Sequence, residues 1–478
     1  MAGMREVGQA EGTSGAGALA RSSPPPREQR PRAVARIRRP AFVFWLLFGI
    51  NVVNYLDRFI AIAVGPTLKV RFHLHDEQVG LLTSAFLLIY TLSAIPLGLI
   101  ADRVPRARVV DVGVGLWSLA SGATAFVRGF RGLLLTRAAV GIGEASYFPA
   151  GTALLSAYYP QERRARIMSR WNAGQLVGIA LAFTLSALLT HMAGADRGWR
   201  LAFFCTAPPG ILLALLMWRV AEGPGRAEAA SGEIVAQAEA PGAAPAARGT
   251  VAQQLARILR LRTVAVVILL QALTFAVVTP MVAFLPIYVR AKNGPFHLGA
   301  VQTDLLSGVV IVLGGIGGTV LGGAVADWLG RRTPGGRVLT AGLAYAAGLP
   351  CFVVMLLAHS LPLFVAASTL AVFTLSMPNG PLAAAAQDVT PPELRATAVA
   401  VILLCAHLLG DVWSPSAVGT LSTHFHEHAN LALLFIGLPS LAIAAVAGML
   451  GARFYAREAL RDAGKGDSAV GAAVAGHV

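Results

Sequence analysis

Apolar stretches of about 20 residues or more recur along the chain, separated by short segments rich in Arg, Gly and Pro. They lie near residues 41–66, 78–101, 108–128, 132–158, 167–192, 199–220, 263–289, 304–327, 338–358, 361–387, 396–422 and 430–454. Each is long enough to cross a hydrocarbon core as a helix. A segment in lipid must satisfy its own backbone hydrogen bonds, so these twelve stretches predict transmembrane helices and an all-α membrane protein.

Composition supports that reading. Hydrophobic residues make up 55% of the 478 positions and charged residues only 13%, against about 25% charged in soluble domains. The net charge of +15 could suggest nucleic acid. The basic residues, however, sit in short segments between apolar runs, and no nucleic-acid module accompanies them. The positive-inside bias of membrane proteins accounts for them, and no nucleic-acid partner is expected. Cys205, Cys351 and Cys405 lie far apart in separate apolar runs and read as small buried hydrophobes.

Residues 1–40 form an Arg-, Pro- and Gly-rich basic tail that cannot build a core and is expected to be disordered. Residues 41–220 and 263–457 make two six-run bundles, joined by a linker over 221–262. Residues 458–478 are expected to be a disordered C-terminal tail. Arg103, Arg106 and Arg108, then Arg163, Arg164 and Arg166, then Arg331, Arg332 and Arg337 follow runs two, four and eight. This asymmetry predicts a multi-pass protein of the plasma (inner) membrane with both termini cytoplasmic.

The halves echo each other. Gly98-x-x-x-Asp102-Arg103 matches Gly323-x-x-x-Asp327 with Arg331 following. Pro160-x-Glu162-x-Arg164-Ala165 matches Pro391-x-Glu393-x-Arg395-Ala396 at nearly the same offset. A duplicated six-helix unit related by an axis along the membrane normal is the architecture of the major facilitator superfamily. The stretch Gly98 to Arg108 resembles that superfamily's signature loop. Asp102, Arg103, Arg106, Asp327 and Arg331 are therefore candidate gating residues, which would latch the halves in one state.

Charge inside the runs carries the functional argument. The stretch Thr136 to Ala150 reads T-R-A-A-V-G-I-G-E-A-S-Y-F-P-A. Arg137 and Glu144 are two helical turns apart on one face, about 10 Å along the axis. A charge at the bilayer centre costs about 2.5–3.5 kcal/mol on insertion scales, so both must face protein or a wet cavity. Gly141 between them leaves room for a neighbouring helix or a ligand. Run one contributes Asn51, Asn54, Asp57 and Arg58, spaced along one helical face. Asp57 is a candidate coupling carboxylate. Its alternative reading is a structural ion pair with Arg58 or Arg137.

N-Y-L-D-R in run one, R-x-x-V-G-I-G-E-A-S-Y in run four and G-D-V-W-S-P-S-A-V-G in run eleven together resemble the Spinster branch of the superfamily. Part of this pattern is shared with organic-anion transporters. The resemblance implies protonatable coupling groups at Asp57 and Glu144. It makes Arg137 their partner or the contact for an anionic headgroup, and gives Arg58 a share in either role. It also implies protons and a small-molecule or lysolipid-like substrate as partners.

Asn54, Tyr147, Gln271 and Asn379 join Arg58 and Arg137 as candidate substrate contacts. His407 and Asp411, one turn apart, are expected to bond each other or adjacent backbone. The Gly-rich patch Gly314 to Gly323 lacks the strand and Lys-Ser/Thr of a phosphate loop and reads as close helix packing. No metal spacing, cofactor motif or nucleophile constellation stands out. A monomeric secondary transporter moving an amphiphilic or anionic organic solute is expected, with a small-carboxylate symporter or exporter as the alternative.

Overall fold

The computed structural model describes residues 37–221, 251–290, 296–391 and 394–475. In chain order the helices are α1 (Pro40–Ala63), α2 (Gly65–Arg71), α3 (Asp76–Arg103), α4 (Arg106–Thr124), α5 (Phe130–Ala145), α6 (Tyr147–Tyr158), α7 (Gln161–Ala193) and α8 (Ala195–Met217). The second half has α9 (Val251–Leu259), α10 (Arg262–Arg290), α11 (Ala300–Gly330), α12 (Gly336–Leu357), α13 (Leu361–Ser376), α14 (Asn379–Asp388), α15 (Arg395–Leu409), α16 (Ser414–His424) and α17 (Ala429–Ala475).

Every predicted run is filled by a helix or by a broken pair. Ten of these are long and apolar enough to cross a membrane. The other two are α4, which carries Arg108 and Asp111, and the α5–α6 pair, which carries Arg137 and Glu144.

Three runs break near their middle, and proline explains each of these breaks. A helical proline offers no N–H to the carbonyl four residues back and clashes with it. Pro149 removes the donor for Ala145, where α5 ends. Pro381 does so for Met377 between α13 and α14, and Pro415 for Asp411 between α15 and α16. Pro40, by contrast, starts α1 at a position where the missing N–H costs nothing.

The packing repeats between halves. In the first half α1 lies on α7, α3 on α5 and α4 on α8. In the second half α10 lies on α15, α11 on α13 and α12 on α17. Across the boundary α3 meets α16 and α7 meets α11, again a matched pair. Glycine permits the tightest crossings: a Cβ on Gly318 would lie 2.0 Å from the Phe373 carbonyl oxygen. The glycine patch of α11 is thus a helix-packing surface against α13, as its apolar context predicts.

Two hydrophobic clusters hold the bundles. One belongs to the first half, around Trp117, Tyr147 and Trp171. The other fills the second half and continues into the first through Ile60, Leu68, Phe183 and Trp199. Large apolar side chains also point outward. Leu135 is 72% exposed, and Met192 and Val320 are comparably bare. In water such a surface would aggregate, whereas in hydrocarbon it is the favoured one.

Two segments outside the expected bundles carry helix. Over the expected tail of residues 458–478, α17 is helical through Ala475. Within the 221–262 linker, residues 222–250 lie outside the described residues, while Val251–Leu259 is helical and Ile258 is buried.

Candidate functional site: a buried charged cluster and a closed gate

Asp57, Arg58, Arg137 and Glu144 converge inside the first half. α1 supplies the first two and α5 the others. Gly141 brings α5 against α3, since a Cβ there would lie 2.9 Å from the Phe86 carbonyl oxygen. That close approach places Phe86 and Tyr90 of α3 beside the charges.

Arg58 and Glu144 form the ion pair. Arg58 donates through Nη2 at 2.7 Å and Nε at 3.1 Å, both to Glu144 Oε2. The Arg58 guanidinium also sits 5.0–5.4 Å from the ring centres of Tyr55, Phe86 and Tyr90. The planar cation is thereby held by three aromatic faces and one carboxylate.

Asp57 is fully buried and turns elsewhere. Its Oδ1 accepts a hydrogen bond from Ser121 Oγ of α4 at 2.9 Å, and Ser121 in turn contacts Thr206 Oγ1 of α8 at 3.2 Å. Its Oδ2 has no hydrogen-bond partner. The alternative reading of Asp57, an ion pair with Arg58 or Arg137, is not formed among the described residues. Neighbouring residues on a helix point about 100° apart, so Arg58 faces α3 and α5 while Asp57 faces α4 and α8. The single polar face expected for run one is accordingly split.

Arg137 is 6% exposed, and its Nε and Nη2 make no hydrogen bond. Its guanidinium lies 5.2 Å from the Phe203 ring centre. It remains within electrostatic reach of both Asp57 and Glu144. The site therefore holds a buried cation without a bonded acceptor, near two carboxylate oxygens without a donor, Asp57 Oδ2 and Glu144 Oε1.

The other candidates separate. Asn54 faces Glu144, and its amide nitrogen makes no hydrogen bond. Asn51 donates to the Trp171 carbonyl at 2.8 Å and ties α1 to α7. Tyr147 is buried in the first-half core, apart from the charges. Its hydroxyl donates to the Leu47 carbonyl at 2.7 Å and accepts from Trp171 Nε1 at 2.8 Å. Its place is in helix packing, not beside Arg137. Gln271 is half-buried with a bare Oε1, and Asn379 is exposed at the start of α14. His407 Nδ1 lies 3.0 Å from both Asp411 oxygens, as their spacing predicts, and its ring stacks on Phe275.

The gating candidates occupy the tail end, where α1 begins and α17 finishes. Arg103 is exposed, and Arg106 donates to the Ala153 carbonyl at 3.4 Å. The Asp102 side chain lies outside the described residues. Asp327 and Arg331 are exposed and line a cavity of about 470 Å³ with Arg337, Asp388 and Tyr455. Within it Arg337 bonds Asp388, and Tyr455 donates to Asp388 Oδ2 at 2.6 Å.

The opposite end, around α2 and the α16–α17 turn, is where the described hydrogen bonds between halves lie, and sequence reasoning did not find them. Lys69 bonds Asp76 at 2.5 Å within its own half and Glu427 across the boundary. Ser422 donates to Asp76 Oδ2 at 2.6 Å, and Arg290 to Thr67 Oγ1 at 3.0 Å. Ser186 donates to Asp304 Oδ2 at 2.6 Å. Partial burial works against the Lys69 charge, but Asp76 and Glu427 outweigh it and hold the ammonium above its ordinary value. Burial would raise the Glu427 carboxyl. Its bond to Lys69 prevails and holds it below the ordinary range. These partners lie up to 358 positions apart, and no local motif marks them.

Comparison with known proteins places this geometry. Residues 47–415 match the Major Facilitator Superfamily. Protein spinster homolog 1 of Xenopus laevis is 28% identical over 439 residues, covering 88% of this chain and 81% of that protein. Two solved structures of a bacterial homologue of the human lysosomal transporter Spinster superpose well. The inward-facing, unoccupied form has a TM-score of 0.71 at 22% identity, covering 88% of this chain and 98% of that one. The inward-facing, occupied form has a TM-score of 0.68 at 21% identity, covering 87% and 96%. The chain belongs to the major facilitator superfamily and is a multi-pass membrane transporter similar to the Spinster proteins.

Proposed function

We propose that the protein is a proton-coupled secondary transporter that works by alternating access and moves an amphiphilic or anionic organic solute. The observation that carries this reading is the unequal bonding of the buried cluster. Arg58 is bonded to one oxygen of Glu144, while Arg137, the other oxygen of Glu144 and the free oxygen of Asp57 are left without hydrogen bonds. Such groups are costly to bury unless something compensates them in another state. A proton on Asp57 and an anionic headgroup at Arg137 are the compensations this reading supplies. Spinster-like cargo suggests a lysolipid-like solute. The aromatic faces around Arg58 and the apolar wall beside Arg137 suit an amphiphile.

The hydrogen bonds between halves at the gate end fit an inward-facing state, with the basic tail end cytoplasmic and the protein a monomer in the plasma (inner) membrane. The two similar bacterial structures are both inward-facing, which favours the same assignment. A bare buried guanidinium also suits a small carboxylate, which keeps a carboxylate symporter or exporter as the second reading.

Thermal shift of the purified protein with a lysophospholipid and with succinate, at two pH values, separates the cargoes. Ligand binding raises apparent stability with the logarithm of occupancy. Coupling is tested with Asp57→Asn, which keeps an oxygen for Ser121 but cannot release a proton. In proteoliposomes the variant should lose accumulation of the stabilising solute driven by a pH gradient and retain downhill exchange. Undiminished uphill uptake would remove Asp57 from the coupling role.

A further inference from the structure

The second half carries its own buried acid, away from the cluster just described. Asp304 lies one turn into α11 at the gate end and is 2% exposed. Its partner across the boundary is Ser186 of α7, 1% exposed, which donates to Oδ2 at 2.6 Å. Oδ1 is buried and accepts no hydrogen bond. The hydroxyls of Thr303 and Ser307 beside it are also buried and unpartnered. The two helices meet closely here, because a Cβ on Gly308 would lie 2.9 Å from Phe183 Cβ.

Among the described residues, the charged group facing Asp304 is Arg290, at the end of α10. It is within electrostatic reach but forms no ion pair with it, and its Nη1 is engaged by Thr67 of α2. α7 offers Ser186; α13, which also packs on α11, has no charged residue, and α12 and α14 carry theirs, Arg337 and Asp388, in the tail-end cavity.

An ionised carboxylate in this setting has one neutral donor, one bare oxygen and no bonded cation, which is an expensive arrangement in a dry interface. The neutral acid needs fewer donors and carries one. Ser186 and Asp304 belong to opposite halves, so opening the gate end parts them and brings the carboxyl to water, where the ionised form is solvated. Proton binding and closure are then linked, and each must favour the other.

We propose that Asp304 is a second proton-binding site, whose protonation seals the gate end and whose deprotonation accompanies its opening. This rests on the alternating-access reading above and adds a site in the half that the Asp57 cluster leaves untouched.

The test uses spin labels on the full chain in liposomes, with the native cysteines replaced. One pair, Arg71→Cys with His428→Cys, spans the gate end. A second, Arg163→Cys with Arg332→Cys, spans the tail end. All four positions are exposed. From about pH 5.5 to about pH 8.5, a range in which an Asp or Glu carboxyl perturbed by burial titrates, the parent should shift toward the longer gate-end distance. Asp304→Asn, neutral at every pH and still an acceptor for Ser186, should hold the short distance throughout. An equal pH response in parent and variant would overturn the role of Asp304 while leaving the rocking motion intact. Distances that stay fixed at both ends across the range would overturn both.

Discussion

Within the charged cluster, each residue's bonding decides how it responds to substitution. Glu144 is the partner of a largely buried Arg58, so Glu144→Leu strands a cation among three aromatic rings. Breaking one side of a buried ion pair costs about 3–5 kcal/mol, whereas replacing both sides with apolar groups is often neutral. Glu144→Leu should therefore lower the thermal unfolding midpoint clearly, and Arg58→Met with Glu144→Leu should recover most of the loss while transport stays absent. A double variant no more stable than the single one would show that the pair is not the stabilising contact. Asp57 has no such partner, which is why Asp57→Asn is expected to spare the fold. Residue types and the i, i+7 spacing of Arg137 and Glu144 were legible in the sequence. The partner of Asp57 was not, because Ser121 is an ordinary hydroxyl in an apolar run 64 positions away.

Among elements, close helix approach and proline breaks set the geometry. The crossing of α5 on α3 depends on Gly141, and Gly141→Val would force the helices apart where Arg58 meets Glu144. Overpacking of this kind costs about 1–3 kcal/mol. The variant should unfold at a lower temperature and lose transport together, whereas retained activity would mean that α5 can move without disturbing the pair. The breaks at Ser146, Pro378 and Gly410 could be anticipated from Pro149, Pro381 and Pro415, since a missing backbone donor is a local property. The swing of Tyr147 into the core could not. Its place follows from the direction in which α6 leaves the break and from the Trp171 indole that meets its hydroxyl.

For the whole molecule, the question is how the halves hold together and let go. At the gate end Lys69 is shared by Asp76 and Glu427. Glu427 is held below the ordinary carboxylate range in the closed state. Its contribution to closure is thus complete above the ordinary carboxylate value and is lost as pH falls through the lower, closed-state value. Glu427→Gln should remove that acid-side response and raise the population with a long gate-end distance at neutral pH. An unchanged distance distribution would exclude the latch. The response expected of Asp304 runs in the opposite sense, so one titration can resolve the two.

The sequence by itself determined the membrane class, the number and placement of the apolar runs, the duplication and the identity of the buried charges. Each of these follows from local hydropathy, from backbone self-sufficiency in lipid or from motifs a few residues long. Tertiary structure alone decided which charge meets which, that Asp57 faces a serine instead of an arginine, and which end of the boundary carries the hydrogen bonds between halves. Those outcomes depend on helix rotation and on contacts between residues as much as 358 positions apart, and nothing in the local pattern of a chain records them.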